Sequence, residues 1–105
     1  MLEISQQDWK LFQEKVPVWQ EKYMERRIRE YIDFLESDKS ASSKFWELEK
    51  KIKEDKKNPG VQLELRKSEA VWDIVMMLRD EVITRDDLAG FSAELTATVE
   101  DLLAR

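Results

Sequence analysis

Only two glycines and two prolines interrupt the 105 residues of this chain, and this scarcity constrains its fold more than any other feature. Folds with many tight turns use both residues, because glycine tolerates and proline pre-sets the backbone angles of turns. Apolar residues make up 42% of the chain, which is too many for a disordered polymer. Chains of this length commonly form one domain. We therefore predict a single all-α domain over residues 1–105, an antiparallel bundle of about four helices.

The first predicted helix covers residues 6–36. Ser5 lies three residues before Asp8, a spacing close to that of a capping box at a helix start. Apolar side chains then recur at intervals of three and four residues as far as Tyr23, as in an amphipathic helix; they are Trp9, Phe12, Val16, Trp19 and Tyr23. The apolar stripe continues with Met24, Ile28, Tyr31, Ile32 and Leu35. Pro17 removes one backbone hydrogen bond within this run, so we expect a kink or a junction of two helices there.

The second and third helices are predicted over residues 41–57 and 61–83. The linker "SDKSASS" precedes the second helix, and Ser40 or Ser42 is expected to cap it. "NPG" at 58–60 ends it, because proline cannot continue a helix. The following "VQLEL" alternates as a strand does, but its five residues weigh less than the long helical pattern that continues to Ile83.

The fourth helix is predicted over residues 85–103. Thr84 and Asp87 resemble a capping box, and Leu88, Phe91, Leu95, Val99 and Leu102 recur at helical spacing. Gly90 costs about 1 kcal/mol inside a helix. Since the apolar pattern runs past Gly90 unbroken, it favours one continuous helix.

The composition removes the commonest catalytic and metal-binding side chains. The chain has no histidine and no cysteine, and therefore no imidazole base, no thiolate nucleophile and no zinc-binding spacing. It also lacks a glycine-rich loop for phosphate. The sequence predicts a protein that is not an enzyme and that holds no cofactor and no metal.

Charge and hydropathy also restrict the partners. The net charge of −5 disfavours nucleic acid, since phosphate affinity comes from clustered lysine and arginine. The most apolar run, "AVWDIVMML" at 70–78, is much shorter than the roughly 20 residues that span a bilayer. The first residues lack the pattern of a signal peptide. We expect a cytoplasmic protein that does not bind membranes.

The predicted third helix is apolar around most of its circumference, which is typical of a helix covered on several sides. One line of its side chains, Leu65, Trp72, Met76 and Ile83, is left for another chain if the first helix stays straight. Trp46 stands among lysines and is a further candidate for a partner contact. The leading hypothesis is a helical protein-interaction module that forms a homodimer, with Trp72 and Met76 near its seam.

Two other functions stay open at this stage. In the first, Trp9, Trp19, Tyr23 and Trp72 line an aromatic pocket for a small molecule. In the second, the lysine-rich residues 44–57 belong to a regulator that contacts nucleic acid.

Two resemblances to known families rest on quoted segments. "RDEVITRDDLAGFSAEL" at 79–95 resembles the bacterial short C-terminal domain family, which usually has glycine where this chain has Glu81. With "KFWELEKKIKEDKKNPGV" and "VITRDDLAGFS", the chain looks like a group of short, helical, cytosolic bacterial proteins, some of which carry an automated "multidrug transporter" name. This resemblance implies a bacterial protein and supplies neither catalytic residues nor a role.

Overall fold

The computed structural model describes residues 3–105, and all regular structure in that range is helical. The helices are α1 (Gln6–Leu35), α2 (Ala41–Asp55), α3 (Ala70–Arg79) and α4 (Ala93–Leu103), with short 3₁₀ helices at Lys67–Glu69 and Arg85–Leu88. The all-α class predicted from the sequence is confirmed. The bounds of α1 and α2 follow the sequence pattern closely, whereas those of α3 and α4 do not.

α1 begins where its capping signal predicts and continues past its proline. The Ser5 hydroxyl accepts a hydrogen bond of 3.1 Å from the backbone N–H of Asp8. The helix runs unbroken through Pro17, so the predicted alternative of two separate helices is wrong. Pro17 and Gln13 are both exposed, and water therefore reaches the carbonyl group that the proline leaves without a helical partner.

The hydrophobic core lies along the first two thirds of α1. Four of its side chains, at intervals of three and four residues, meet the apolar faces of α3 and α4. The buried apolar residues are Ile4, Phe12, Val16, Trp19, Tyr23, Ala70, Val71, Ile74, Val75, Met77, Val82, Ile83, Leu88, Leu95, Val99 and Leu102. α2 contributes none of them.

The predicted third helix is wrong over residues 61–69, where no α-helix forms. Gly60 lies against Tyr23, so closely that an added Cβ would fall 2.5 Å from Cδ2 of that ring. Seven residues later, Lys67 Nζ donates to Gln6 Oε1 at 2.9 Å. Between these two points α1 rises about 25 Å. Seven residues cover that distance only when nearly extended, at roughly 3.3 Å each.

The two-residue alternation in "VQLEL" therefore indicates the conformation of this segment correctly, whereas the helical pattern does not. Val61 and Leu63 pack against the core, whereas Gln62 and Glu64 are exposed. This is the two-residue period of an extended chain with one buried side.

α3 also ends earlier than predicted. Its last residue is Arg79, and Glu81 then adopts a left-handed conformation with φ of 58°. The N–H of Val82 reaches back to the carbonyl of Met77 at 2.8 Å, which is the long bond of a Schellman motif. This turn directs Val82 and Ile83 into the core.

The predicted fourth helix is divided at Gly90. Thr84 N donates to Asp87 Oδ2 at 2.7 Å, as its capping pattern predicts, but this cap opens only the short 3₁₀ helix. Gly90 has φ of 97°, a conformation that L side chains rarely adopt. α4 starts afresh after it, because the Ser92 hydroxyl accepts from the N–H of Leu95 at 3.2 Å.

Contacts between helix ends set their relative directions. Val71 and Leu95, from the first turns of α3 and α4, line one pocket. At the other ends, Arg79 donates to the carbonyl of Leu102 at 3.2 Å. This order indicates that α3 and α4 run in the same direction, so the antiparallel arrangement predicted for the whole bundle is not confirmed.

The molecule is elongated, with extents of 51 × 23 × 23 Å. The 30 residues of α1 span about 45 Å at 1.5 Å per residue, which is most of the long axis. Its last turns, residues 24–35, extend beyond the core and contact α2. We call residues 24–35 and 41–55 together the arm.

The two left-handed positions give a matched test of the turn geometry. Glu81→Gly is expected to raise the free energy of unfolding by about 0.5–1 kcal/mol. Glycine removes the strain that a Cβ causes in the left-handed conformation, and the larger conformational entropy of glycine in the unfolded chain offsets part of this stabilisation. Gly90→Ala is expected to lower the free energy of unfolding by about 1–2 kcal/mol, with its Cβ only 3.3 Å from Leu11 Cδ2. Urea denaturation measures both. A stabilising Gly90→Ala would contradict the break between the 3₁₀ helix and α4.

Candidate protein interface

The arm is attached to the core by polar contacts near its base. Gln20 Nε2 donates to the carbonyl of Pro59 at 3.0 Å. About two turns further along α1, Arg27 Nε lies 3.3 Å from Asp55 Oδ2, and the Tyr31 hydroxyl donates to the same oxygen. Two turns beyond Arg27, the Phe34 ring contacts Lys51 of α2. Since the residue numbers of the second segment fall from 59 to 55 to 51 as α1 advances, the two helices of the arm are antiparallel.

Polar and charged side chains join the two helices of the arm. From α1 these are Arg27 and Tyr31, together with the ring of Phe34, and from α2 they are Asp55 and Lys51, whose Nζ lies 5.1 Å from the centre of the Phe34 ring. Burial, followed by the hydrogen bond to Asp55, raises the pKa of Tyr31 to about 12. The Tyr31 hydroxyl therefore stays protonated and keeps donating at neutral pH.

The apolar side chains of the arm lie on a different side of both helices. Successive residues of a helix are 100° apart. On each helix of the arm, the residues that directly follow those in the α1–α2 contact therefore point about 100° away from the contact. Because the two helices are antiparallel, these following residues point to the same side of the arm on both helices. We call that side the front face; its members are Met24, Ile28, Ile32 and Leu35 from α1, and Phe45, Leu48 and Ile52 from α2.

The front face is open to solvent. Six of its seven apolar side chains are 38–64% exposed, and the seventh, Leu48, is half-buried. A shallow pocket on its α2 side is lined by Phe45, Leu48 and Ile52, with Lys53 and Lys56 at its margin. No residue of α2 is buried. This helix is amphipathic, yet its apolar side has no cover in the part of the chain that the structure describes.

The predicted contact residue Trp46 is 62% exposed. Its ring meets that of Phe45 edge to face, with 5.0 Å between the ring centres. By helical geometry Trp46 lies within about 20° of Lys53, on the outer edge of α2. It is accessible to a partner, but it lies beside the open apolar face and outside it.

The predicted seam on the third helix is only partly exposed. Trp72 and Met76 are each 45% exposed, and Leu65 is similar. Ile83, which was expected on the same line, is buried in the core; the line is interrupted because α3 stops at Arg79. Three of the four residues therefore remain available to another chain.

The aromatic residues predicted to line a pocket do not share any of the cavities found among the described residues. Trp19 and Tyr23 are buried core residues, and Trp9 packs against the core, where its ring stacks on Phe12. Trp72 is exposed instead. None of the described pockets is lined by these residues, so this arrangement offers no specific support for the pocket hypothesis.

Sequence reasoning missed a polar contact between the starts of α1 and α4. Asp8 is buried, and its carboxylate accepts from the N–H of Ser92 at 2.9 Å and from the Ser92 hydroxyl at 2.5 Å. One aspartate thus orients the residue that caps another helix. Ser92 directly before "AELTATVEDLL" was the available signal for a new helix start.

Within residues 3–105, no group of three or more acidic side chains is placed to hold a metal ion. Over the same range, none of the helices combines the length and the hydropathy that crossing a bilayer requires. Comparison with protein-family models, with curated proteins and with solved structures gives no match to this chain. The resemblances to bacterial families therefore stay predictions.

Asp73 gives the α3 surface a pH dependence. One carboxylate oxygen is buried without a hydrogen-bond partner, and burial, followed by the charge of Glu69, raises its pKa from 3.8 to about 6. A carboxyl group of this kind stabilises the fold while protonated: the contribution is complete below about pH 4 and is lost as the pH rises through about 6.

We therefore expect the free energy of unfolding of the wild type, minus that of Asp73→Asn, to fall between pH 4 and pH 7. Urea denaturation at several pH values measures this difference, and subtraction removes the titration of the other carboxylates. A difference that stays constant over this range would contradict the burial of the Asp73 carboxyl group.

Proposed function

We propose that this chain is a non-enzymatic helical protein-interaction module that presents the front face of its arm to another protein. The observation that carries the proposal is an amphipathic α2 with no buried residue, beside a row of exposed apolar side chains on α1. Location in the cytoplasm and the absence of cofactors, membrane contact and nucleic-acid contact are parts of the same proposal.

The energetics of the arm support this function. Helices of about 15 residues are marginally stable in water without tertiary packing, and no residue of α2 is buried. The front-face side chains that are at least 38% exposed offer roughly 500 Å² of apolar area, which exceeds an ordinary scatter of surface residues. Covering it contributes on the order of 10 kcal/mol at 25 cal/mol per Å², before the costs of association are subtracted.

The shape of the arm also supports docking. It projects along the long axis of the molecule, so both of its helices are accessible from the front without opening the core. Large exposed apolar patches on otherwise charged proteins commonly mark interaction sites. The α3 surface with Trp72 and Met76 is a second, smaller candidate on the same grounds.

A charge on the front face is expected to abolish this docking without unfolding the chain. Ile28→Glu places a carboxylate at the middle of the face, where a partner would have to desolvate it. Its matched control is Val18→Glu, because Val18 is 51% exposed and Ile28 is 49% exposed. Val18 lies on the same helix, about 15 Å earlier along the axis, and outside the front face.

The measurement is affinity capture from the native host, with circular dichroism to verify helix content. We expect the wild type and Val18→Glu to capture the same partner, and Ile28→Glu to lose it at unchanged helicity. Equal capture by all three proteins would show that the front face is not the docking surface.

A further inference from the structure

We propose that a second copy of this chain covers the front face, so that two arms form a four-helix bundle in which α1 of each copy packs on α2 of the other. This inference rests on the proposed function, since it requires the front face to be a docking surface. It adds the identity of the partner and the pairing of the helices.

The spacing of the apolar side chains suits such a bundle. Along each helix of the arm, the apolar positions of the front face follow at intervals of three or four residues. The two series are Met24, Ile28, Ile32 and Leu35 on α1, and Phe45, Leu48 and Ile52 on α2. Alternating intervals of three and four form the seams of coiled coils and four-helix bundles. One arm therefore supplies half of a bundle, and an identical arm supplies a half of matching length and spacing.

The area available is adequate for a dimer of moderate affinity. The exposed apolar side chains of two front faces offer about 1,000 Å² together, and the polar edges of the helices add to this; a standard stable interface buries about 1,200–2,000 Å². Symmetric pairing also uses the same surface on both partners, as two-fold dimers do.

The charges at the edges of the front face favour a second copy over an unrelated chain. Towards the base of the arm, Glu21 and Glu25 lie along the outer edge of α1, and Lys53 and Lys56 lie along the outer edge of α2. One turn further along each helix towards the tip of the arm the signs are reversed, with Arg29 on the edge of α1 and Glu49 on the edge of α2. All six are exposed, and none forms an ion pair among the residues that the structure describes. Because the two edges carry opposite charges both at the base and further out, the face is complementary to itself.

The positions of these charges along the axis of the arm favour one pairing of helices between the two copies. Gln20 contacts Pro59 and Arg27 contacts Asp55, so Glu25 and Lys56 stand at similar heights in one arm. A two-fold axis parallel to the arm brings α1 of one copy beside α2 of the other at equal height, with Glu25 near the partner's Lys56. A two-fold axis across the arm would instead set α1 beside α1 and place like-charged edges together.

Self-association of the purified full chain tests the partner. Multi-angle light scattering and sedimentation equilibrium should show a dimer for the wild type and for Val18→Glu, and a helical monomer for Ile28→Glu. A wild type that remains monomeric at about 100 µM, a concentration far above the dissociation constants of ordinary stable dimers, would overturn the inference.

Charge exchange tests the pairing. We expect E21K/E25K to raise the dissociation constant of the dimer about tenfold. An exposed ion pair contributes about 0.2–1 kcal/mol, and a symmetric dimer contains each such pair twice. We expect K53E/K56E to do the same, and the protein with all four substitutions to recover the affinity of the wild type. If E21K/E25K leaves the dimer unchanged, the pairing of α1 with α2 is wrong.

The two sets of experiments separate the inference from the function on which it rests. A monomeric wild type whose capture of a host protein is lost in Ile28→Glu and kept in Val18→Glu would overturn self-pairing and leave the docking surface standing. A monomeric wild type with equal capture by both variants would overturn both.

Discussion

α1 extends well beyond the core that it organises, and the rest of the structure follows from this mismatch. The helix is about 45 Å long at its 30 residues, whereas α3, with 10 residues, and α4, with 11, are each about 15 Å long. The two short helices bury the row that ends at Tyr23. Past the contact of Arg26 with the turn that follows α3, α2 is the one described helix beside α1, so the final turns of α1 keep an open side.

The length of α1 also determines the conformation of the chain between α2 and α3. It leaves the arm at Gly60, where Tyr23 allows no side chain, and it must return to the start of α1 before α3 can begin. An extended segment covers this distance with few residues. It places α3 in the same direction as α1, with Arg26 donating to the carbonyl of Glu81 at 2.8 Å where the chain leaves α3. Asp8 orients the start of α4 in the same way from the first turn of α1.

The front face is exposed for a geometrical reason. Arg27, Tyr31 and Phe34 continue the core row of α1 beyond Tyr23, and they contact α2. The apolar row that begins at Met24 is one position out of phase with it. α2 contacts the core row mainly through Lys51 and Asp55, and its own apolar side chains turn to the same side as the second row of α1. The arm thus forms polar contacts between its own helices, whereas its apolar side chains stay exposed.

Local signals in the sequence determined the helical class, the extent of α1 and α2, and the caps at Ser5 and Thr84, because each depends only on residues within one or two turns. They left two candidates for the cap of α2, of which Ser40 accepts from the N–H of Ser43 at 3.2 Å. The tertiary structure decided the rest. Residues 61–69 are extended despite their helical pattern, because they must cover the distance back to the start of α1. α4 begins anew after Ser92, because Gly90 allows a turn there and Asp8, 84 residues away, accepts a hydrogen bond from Ser92. Periodicity also identified apolar rows on α1 and α2 without showing whether they are buried. Burial depends on which elements reach a row, and the short α3 and α4 do not extend as far as the arm.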